Sequence, residues 1–408
     1  MKLKIKSISH LVLYSLPALI VIYSSSVKAS LRFASLGNWG TGSKTQKLVA
    51  EKLKEYVKNE RLTYLLSPGF NFNNGVNGLN DEKWKKYFES VYNDDSGLMD
   101  LPMFTVLGSE DWLGDYNAQY NRYHQFYLNG HVPQDLSSVD YKSDSNNSSH
   151  NPRLIMPNWW YHFFTSFSTN ACTSNSVSLL KSGHKDLSVG FIFVDTWVLS
   201  NQFPYKDVTN DAWNELKKTL EIAPKVVDYI VVVGDKPVLS SGKSKGDTFL
   251  SYKLLPLLKQ AQVDAYVAGY DQDMELLDYE GTALVVCGSS GNKGRKSVLK
   301  SPHSKFYTEE PGFCVHELNA EGFTTKFVNG NTGEVMYTYV QPKKKRKQRQ
   351  QGNELKLINK LPDVMFHPVG DLDVASYSDA FTKIIGTLGL LILGFHLLLT
   401  AGTTVAKT

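Results

Sequence analysis

Five short turns set a glycine directly before polar or aromatic side chains: Gly37-Asn38-Trp39-Gly40, Gly69-Phe70-Asn71-Phe72, Gly108-Ser109-Glu110-Asp111, Gly234-Asp235-Lys236-Pro237 and Gly269-Tyr270-Asp271-Gln272. Each follows a short apolar run, so each reads as the carboxyl end of a buried strand, where α/β proteins build their sites. Asn38, Ser109, Glu110, Asp235 and Asp271 offer oxygen ligands, the donor type that one hard cation such as Ca²⁺ or Mg²⁺ takes. The favoured reading of the same groups is a hydrogen-bonded polar pocket without an ion. No histidine stands in any of the five turns. His162, His184 and His316 fall in segments that read as loops or strands and are expected to be structural.

The elements that must carry these turns alternate. Strands are expected at 31–36, 62–67, 104–107, 190–194, 229–233 and 265–268, each ending at or near one of the turns or at Asp195. Helices are expected at 45–58, at 211–223 behind an acidic cap at Asp211, and at 249–260. This order is that of a βαβ-rich α/β domain. From 274 to 340 short alternating runs with glycine turns (282–287, 313–318, 323–328 and 334–340) read as a β-meander completing a sheet. Residues 129–153 are polar and read as a long surface loop. Within it Asn146 and Asn147 fit the N-glycosylation pattern.

The chain has 408 residues, ordinary hydrophobic and charged fractions of 42% and 21%, and a formal charge of +4. Six basic residues fall in one run, Lys343, Lys344, Lys345, Arg346, Lys347 and Arg349, and four more lie in an acid-free first 29 residues. Without those ten the remainder stands at −6, which argues against a nucleic-acid-binding body. Lys2, Lys4 and Lys6, an apolar core at 11–23 and the small-residue pattern Val27-Lys28-Ala29 read as a secretory signal cleaved after Ala29. The apolar stretch 384–402 is about 28 Å long as a helix, one bilayer core.

The expected plan is a signal peptide at 1–29, a body at 30–341, a basic lumenal linker at 342–383, a transmembrane helix at 384–402 and a tail at 403–408. It makes a type I membrane protein with its body in the lumen, and a GPI signal is the rival. On the lumenal side the basic run is a solvated linker and not a nuclear import signal. Of the three cysteines, Cys287 and Cys314 share the late β region and are the candidate disulfide, three buried thiols being the other reading.

The order and spacing of the five turns resemble those of the purple acid phosphatases, a branch of the calcineurin-like metallophosphoesterases. Context between the turns matches too: Tyr116-Asn117-Ala118-Gln119, Phe193-Val194-Asp195-Thr196 and Leu255-Pro256-Leu257-Leu258. The resemblance spans roughly 31–340. It implies a four-layer α/β/β/α sandwich with strand-end loops converging on two metal ions that activate a hydroxide. In that family the turns carry Gly-Asp, Gly-Asp-Asn-Phe-Tyr, Gly-Asn-His, a Gly-His pair and Gly-His-x-His. Here the matching positions hold Asn38, Phe70, Asn73, Ser109, Glu110, Asp235, Tyr270 and Gln272. The expectation is a site without two-metal hydrolysis, no cofactor, and at most one weakly bound divalent cation.

Further stretches, among them Met156-Pro157-Asn158, Asp195-Thr196-Trp197-Val198-Leu199-Ser200 and Gly312-Phe313-Cys314-Val315-His316-Glu317-Leu318, are similar to the phosphatase-like membrane anchors of the apicomplexan glideosome. That resemblance implies a non-catalytic protein of the inner membrane complex. Its partners would be a myosin motor, the motor's light chain and an acylated linker protein. A residual one-metal phosphatase and a surface adhesin are the alternatives.

Overall fold

The computed structural model describes residues 30–92, 97–98, 101–128, 153–167, 187–200 and 203–346, together with Leu357 and Leu361. Two seven-stranded sheets lie face to face. The first takes the order β14-β13-β12-β1-β2-β3-β4, built from β1 (Ser30–Ser35), β2 (Tyr64–Ser67), β3 (Met103–Thr105), β4 (Leu154–Ile155), β12 (Gly312–Asn319), β13 (Gly322–Asn329) and β14 (Val335–Pro342). The second takes the order β11-β9-β10-β8-β7-β6-β5. Its strands are β5 (Trp160–Phe167), β6 (Leu187–Val194), β7 (Tyr229–Gly234), β8 (Ala265–Ala268), β9 (Met274–Tyr279), β10 (Thr282–Cys287) and β11 (Ser304–Thr308).

The central strands of each sheet run parallel, so their carboxyl ends emerge on one side. β6 and β7 are buried along their whole length, the pattern of strands covered on both faces. The core between the sheets is rich in aromatic rings. Phe33 of β1 meets Phe191 of β6 edge-on at 5.2 Å, and Tyr161 of β5 stacks on Phe193 at 4.5 Å. Cys287 of β10 and Cys314 of β12 form a disulfide that joins the two sheets.

Helices close both outer faces. Helix α1 (Lys44–Asn59) is capped by Ser43, whose hydroxyl accepts from the Gln46 N–H at 3.0 Å. It lays Val49, Ala50 and Leu53 against the first sheet. A short helix α2 (Ala118–Leu128) follows the third turn, and α3 (Thr196–Leu199) is capped by Asp195. Helices α4 (Lys206–Val226) and α5 (Thr248–Gln260) bury Trp213, Leu216, Leu220, Leu254 and Leu258 against the second sheet. The layers therefore run α/β/β/α.

Three expectations are corrected. Helix α4 begins at Lys206, five residues before Asp211. Its cap residue, Tyr205, makes no side-chain bond, and Asp211 lies inside the helix. The late segments do not complete one sheet, because β9–β11 belong to the second sheet and β12–β14 to the first.

The start of the basic run is not a free solvated linker. Lys343 pairs with Asp228 at 2.8 Å, and Lys344 donates to the Val263 carbonyl at 2.6 Å. Arg346 pairs with Asp264 at 2.6 Å with both side chains almost wholly buried. Leu361 is buried in the core beneath α4 and α5, and Leu357 packs against it.

Among the described residues no helix is long and apolar enough to cross a membrane. The expected span at 384–402, the signal at 1–29, the tail, Asn146, Asn147, His184 and Cys172 lie outside the described residues.

Candidate functional site

The carboxyl ends of the two parallel strand sets meet through glycines. A Cβ added at Gly37, after β1, would stand 2.7 Å from the Cα of Gly269, after β8 in the other sheet. One at Gly69, after β2, would stand 2.9 Å from the Asp235 Cβ and 3.0 Å from the Gly108 Cα. Backbones this close leave no room for a side chain, so the five turns converge on one junction.

Asn38 and Asp235 are buried at this junction, and Phe70 is 5% exposed. One oxygen of Asp235 accepts from the Ser109 N–H at 3.0 Å, while its other oxygen and the Asn38 amide nitrogen are buried without a protein partner. Burial pushes the Asp235 carboxyl well above the usual range. The Ser109 N–H opposes that shift, and the neighbouring Asp111 and Asp195 reinforce it. The half-buried Tyr270 ring lies 6.4 Å from the Phe70 ring across the pocket. Asn38, Phe70 and Gln272 hold φ of 54°, 57° and 54°, left-handed backbone that Asn tolerates and that is strained for Phe70.

Not every expected residue joins. Asn73 is exposed, and its backbone is tied to the Gly40 and Lys83 side of the loop. Glu110 turns to accept from the Asn74 N–H at 3.0 Å. Asp271 points the other way and accepts from the Ser244 N–H at 2.8 Å and from the Ser244 hydroxyl at 2.6 Å. Of the five candidate oxygen donors, Asp235, Glu110 and Asp271 are thus each held by a different backbone N–H. Among the described residues no group of three His, Cys, Asp or Glu side chains could hold a metal ion. The two-metal centre that the fold family implies does not fit these residues. A phenyl ring has no lone pair to share between cations, and a single partnerless carboxylate oxygen cannot replace a set of imidazoles and carboxylates.

The residue that organises the turns is Asp111, which the sequence reading quoted only as a polar member of the third turn. It is buried and accepts four hydrogen bonds: from the N–H groups of Gly108 at 2.8 Å, Asn71 at 2.9 Å and Phe72 at 3.0 Å, and from the Gln119 amide at 2.8 Å. Burial raises its carboxyl to about 6 against the pull of those four donors. Asn71 extends the network, donating to the Val106 carbonyl and to Gln119 while accepting from Thr105 and Ser67. Asp195 does the same on the second sheet. It accepts from the N–H groups of Trp197 and Val198 and from the Trp112 indole, and burial raises it to about 7. No spacing in the sequence marks this network, because Asn71, Asp111 and Gln119 sit on a loop, a single helical turn and the start of α2. His316 and His162 take no part in the pocket. Both lie on strands, and burial lowers them to about 3 and about 4.

Comparison with known proteins relates the chain to acid phosphatases and to a membrane-complex anchor. No family model matches the chain. It is 26% identical to purple acid phosphatase 3 of Arabidopsis thaliana over 349 residues, 76% of this chain and 82% of that one. It is 24% identical to human tartrate-resistant acid phosphatase type 5 over 318 residues, 74% and 88% of the two chains. A solved Plasmodium structure, described as the anchor in the inner membrane complex, superposes with a TM-score of 0.72 at 44% identity, covering 84% of this chain and 98% of that one. Glideosome-associated protein 50 of Plasmodium falciparum is 45% identical over 375 residues, 91% of each chain. Identity at that level, sustained from end to end, shows that the chain belongs to the glideosome-associated protein 50 family.

Proposed function

We propose that the protein is a non-catalytic membrane anchor that fixes a myosin motor, its light chain and an acylated linker protein to the inner membrane complex for gliding and host-cell entry. The observation that carries this reading is the 91% coverage of both chains in the match to glideosome-associated protein 50. Phe70 supports the non-catalytic half. By the resemblance of the turns it stands where the enzymes would need a bridging carboxylate, and it is buried at the junction of the two sheets. The anchor half rests on the apolar stretch 384–402 and on a body that would lie in the lumen. Cytoplasmic partners would then be reached through the span and the short tail. Tagged full-length chain purified from native membranes should recover the motor and its light chain. Exchange of residues 384–408 for an unrelated span and tail should lower that recovery, and unchanged recovery rejects this route. Two bound transition metals with phosphomonoester turnover lost to a chelator would overturn the non-catalytic reading.

A further inference from the structure

Two loops beside the pocket gather charge that the rest of the body lacks. Loop 239–246 follows β7 and loop 291–303 joins β10 to β11. Between them they carry Lys243, Lys245, Lys293, Arg295, Lys296 and Lys300 without a single Asp or Glu. All six side chains are exposed, and none makes an ion pair among the described residues. The loops form one rigid surface, because the Ser241 carbonyl accepts from the N–H groups of Val298 at 3.0 Å and Leu299 at 3.2 Å and from the Ser297 hydroxyl at 3.1 Å. Both also hang on the last turn of the pocket, through Ser244 on Asp271 and the Arg295 N–H on the Gln272 carbonyl. Between Lys296 and Lys300 stand Val298 and Leu299, 53% and 40% exposed.

We propose that this surface docks on an anionic membrane leaflet, with Val298 and Leu299 entering the headgroup boundary and the six cations lying at the level of the phosphates. Cations around a small apolar tip are the combination that holds protein surfaces on charged bilayers. The backbone is compatible with lipid. Both apolar residues at the tip already have their N–H groups bonded to Ser241, so the tip can leave water without orphaning those donors. Asp271 and Glu275 accept hydrogen bonds from beneath the loops, and the Glu309 carbonyl accepts from the Gly294 N–H at 2.7 Å. Asp273 is buried below the loops and raised to about 9 by burial and by its neighbours Asp271 and Glu275, so it stays protonated at neutral pH. The proposal goes beyond the anchor reading, since it requires the body itself to touch lipid and not only a tether.

The test uses the full chain in nanodiscs of phosphatidylcholine alone or with about 30 mol% phosphatidylserine, and the same chain in detergent with added vesicles of both compositions, read by hydrogen exchange. Residues 293–300 should exchange about fivefold more slowly on the anionic surface, the effect of roughly one cation near such a bilayer. About 0.5 M salt should abolish the difference. So should the combined Lys293→Gln, Arg295→Gln, Lys296→Gln and Lys300→Gln variant, while exchange elsewhere in the body stays as in the parent and so reports an intact fold. Val298→Asp with Leu299→Asp should weaken the protection at unchanged lipid charge. Equal exchange on neutral and anionic lipid overturns the proposal, as does protection by soluble polyglutamate without any response to lipid. The two readings fail separately: retention in discs with equal exchange sinks only the docking surface, and lost retention with charge-dependent protection on vesicles sinks only the anchor.

Discussion

His316 offers a quantitative test of the packing argument. It is fully buried on β12, its Nε2 paired with the Ser35 hydroxyl at 2.8 Å and its Nδ1 with the Thr325 hydroxyl at 3.0 Å. Its ring lies between Phe33 at 4.9 Å and Phe323 at 5.7 Å. Burial holds the imidazole neutral down to about pH 3, against 6.5 for a free histidine. A base whose folded value is depressed contributes its full stability above pH 6.5 and loses it as the pH falls toward 3, because the unfolded chain takes up the proton first. At about pH 4.5 the gap of about 2 units costs about 2.7 kcal/mol. His316→Gln removes that titration but forfeits two ring contacts, about 2 kcal/mol at neutral pH. The variant should therefore be the less stable protein at about pH 7.5 and should draw level with the parent, or pass it, by about pH 4.5. Urea unfolding of both proteins at the two pH values measures this directly, and the shared contributions of His162 and the buried carboxylates cancel in the difference. Parallel stability curves would refute the assignment of His316 as a neutral core residue.

Two further outcomes follow from the pocket and the basic run. Asp111→Asn keeps the shape but turns an amide NH₂ toward groups that are themselves donors, so it should lower the unfolding free energy by about 2–4 kcal/mol. A loss under about 1 kcal/mol in urea titrations would mean that the turns hold themselves. Asp264→Ala strips Arg346 of its buried partner and should release residues 343–346 to trypsin at least about tenfold faster than in the parent. Equal cleavage rates would show that the run is held by other contacts.

Much of the frame was legible because the central strands are apolar on both faces and end in glycine. The strands expected at 265–268 and 282–287 match β8 and β10 residue for residue. Helix α1 was also readable, since its apolar residues recur at helical spacing. The start of α4 was misplaced because a tempting acidic cap, Asp211, lies one and a half turns inside a helix that begins without a side-chain cap. β5 went unread. Seven of its eight residues are only partly buried, so it shows no clean alternation. At the five turns the residue types were plain. Their directions were not, because Asp271 faces Ser244 and Glu110 faces Asn74 through loop conformations that no local pattern encodes. The basic run was read by composition alone, whereas its partners Asp228 and Asp264 are more than eighty residues away in sequence.

Asp228 and Asp264 precede β7 and β8, so the contacts of Lys343, Lys344 and Arg346 lie at the end of the second sheet opposite the pocket. The residue just before them, Pro342, ends β14, the edge strand of the first sheet. Under mechanical load this arrangement sets the order of failure. A pull on the chain beyond residue 346 reaches the three cationic contacts before it reaches β14, and it is shared across both sheets. An edge strand tugged directly would open one hydrogen bond at a time, like a zip. Here the force must first break several contacts together, one of them a buried ion pair, so the grip resists tension in a way that the unclamped strand would not.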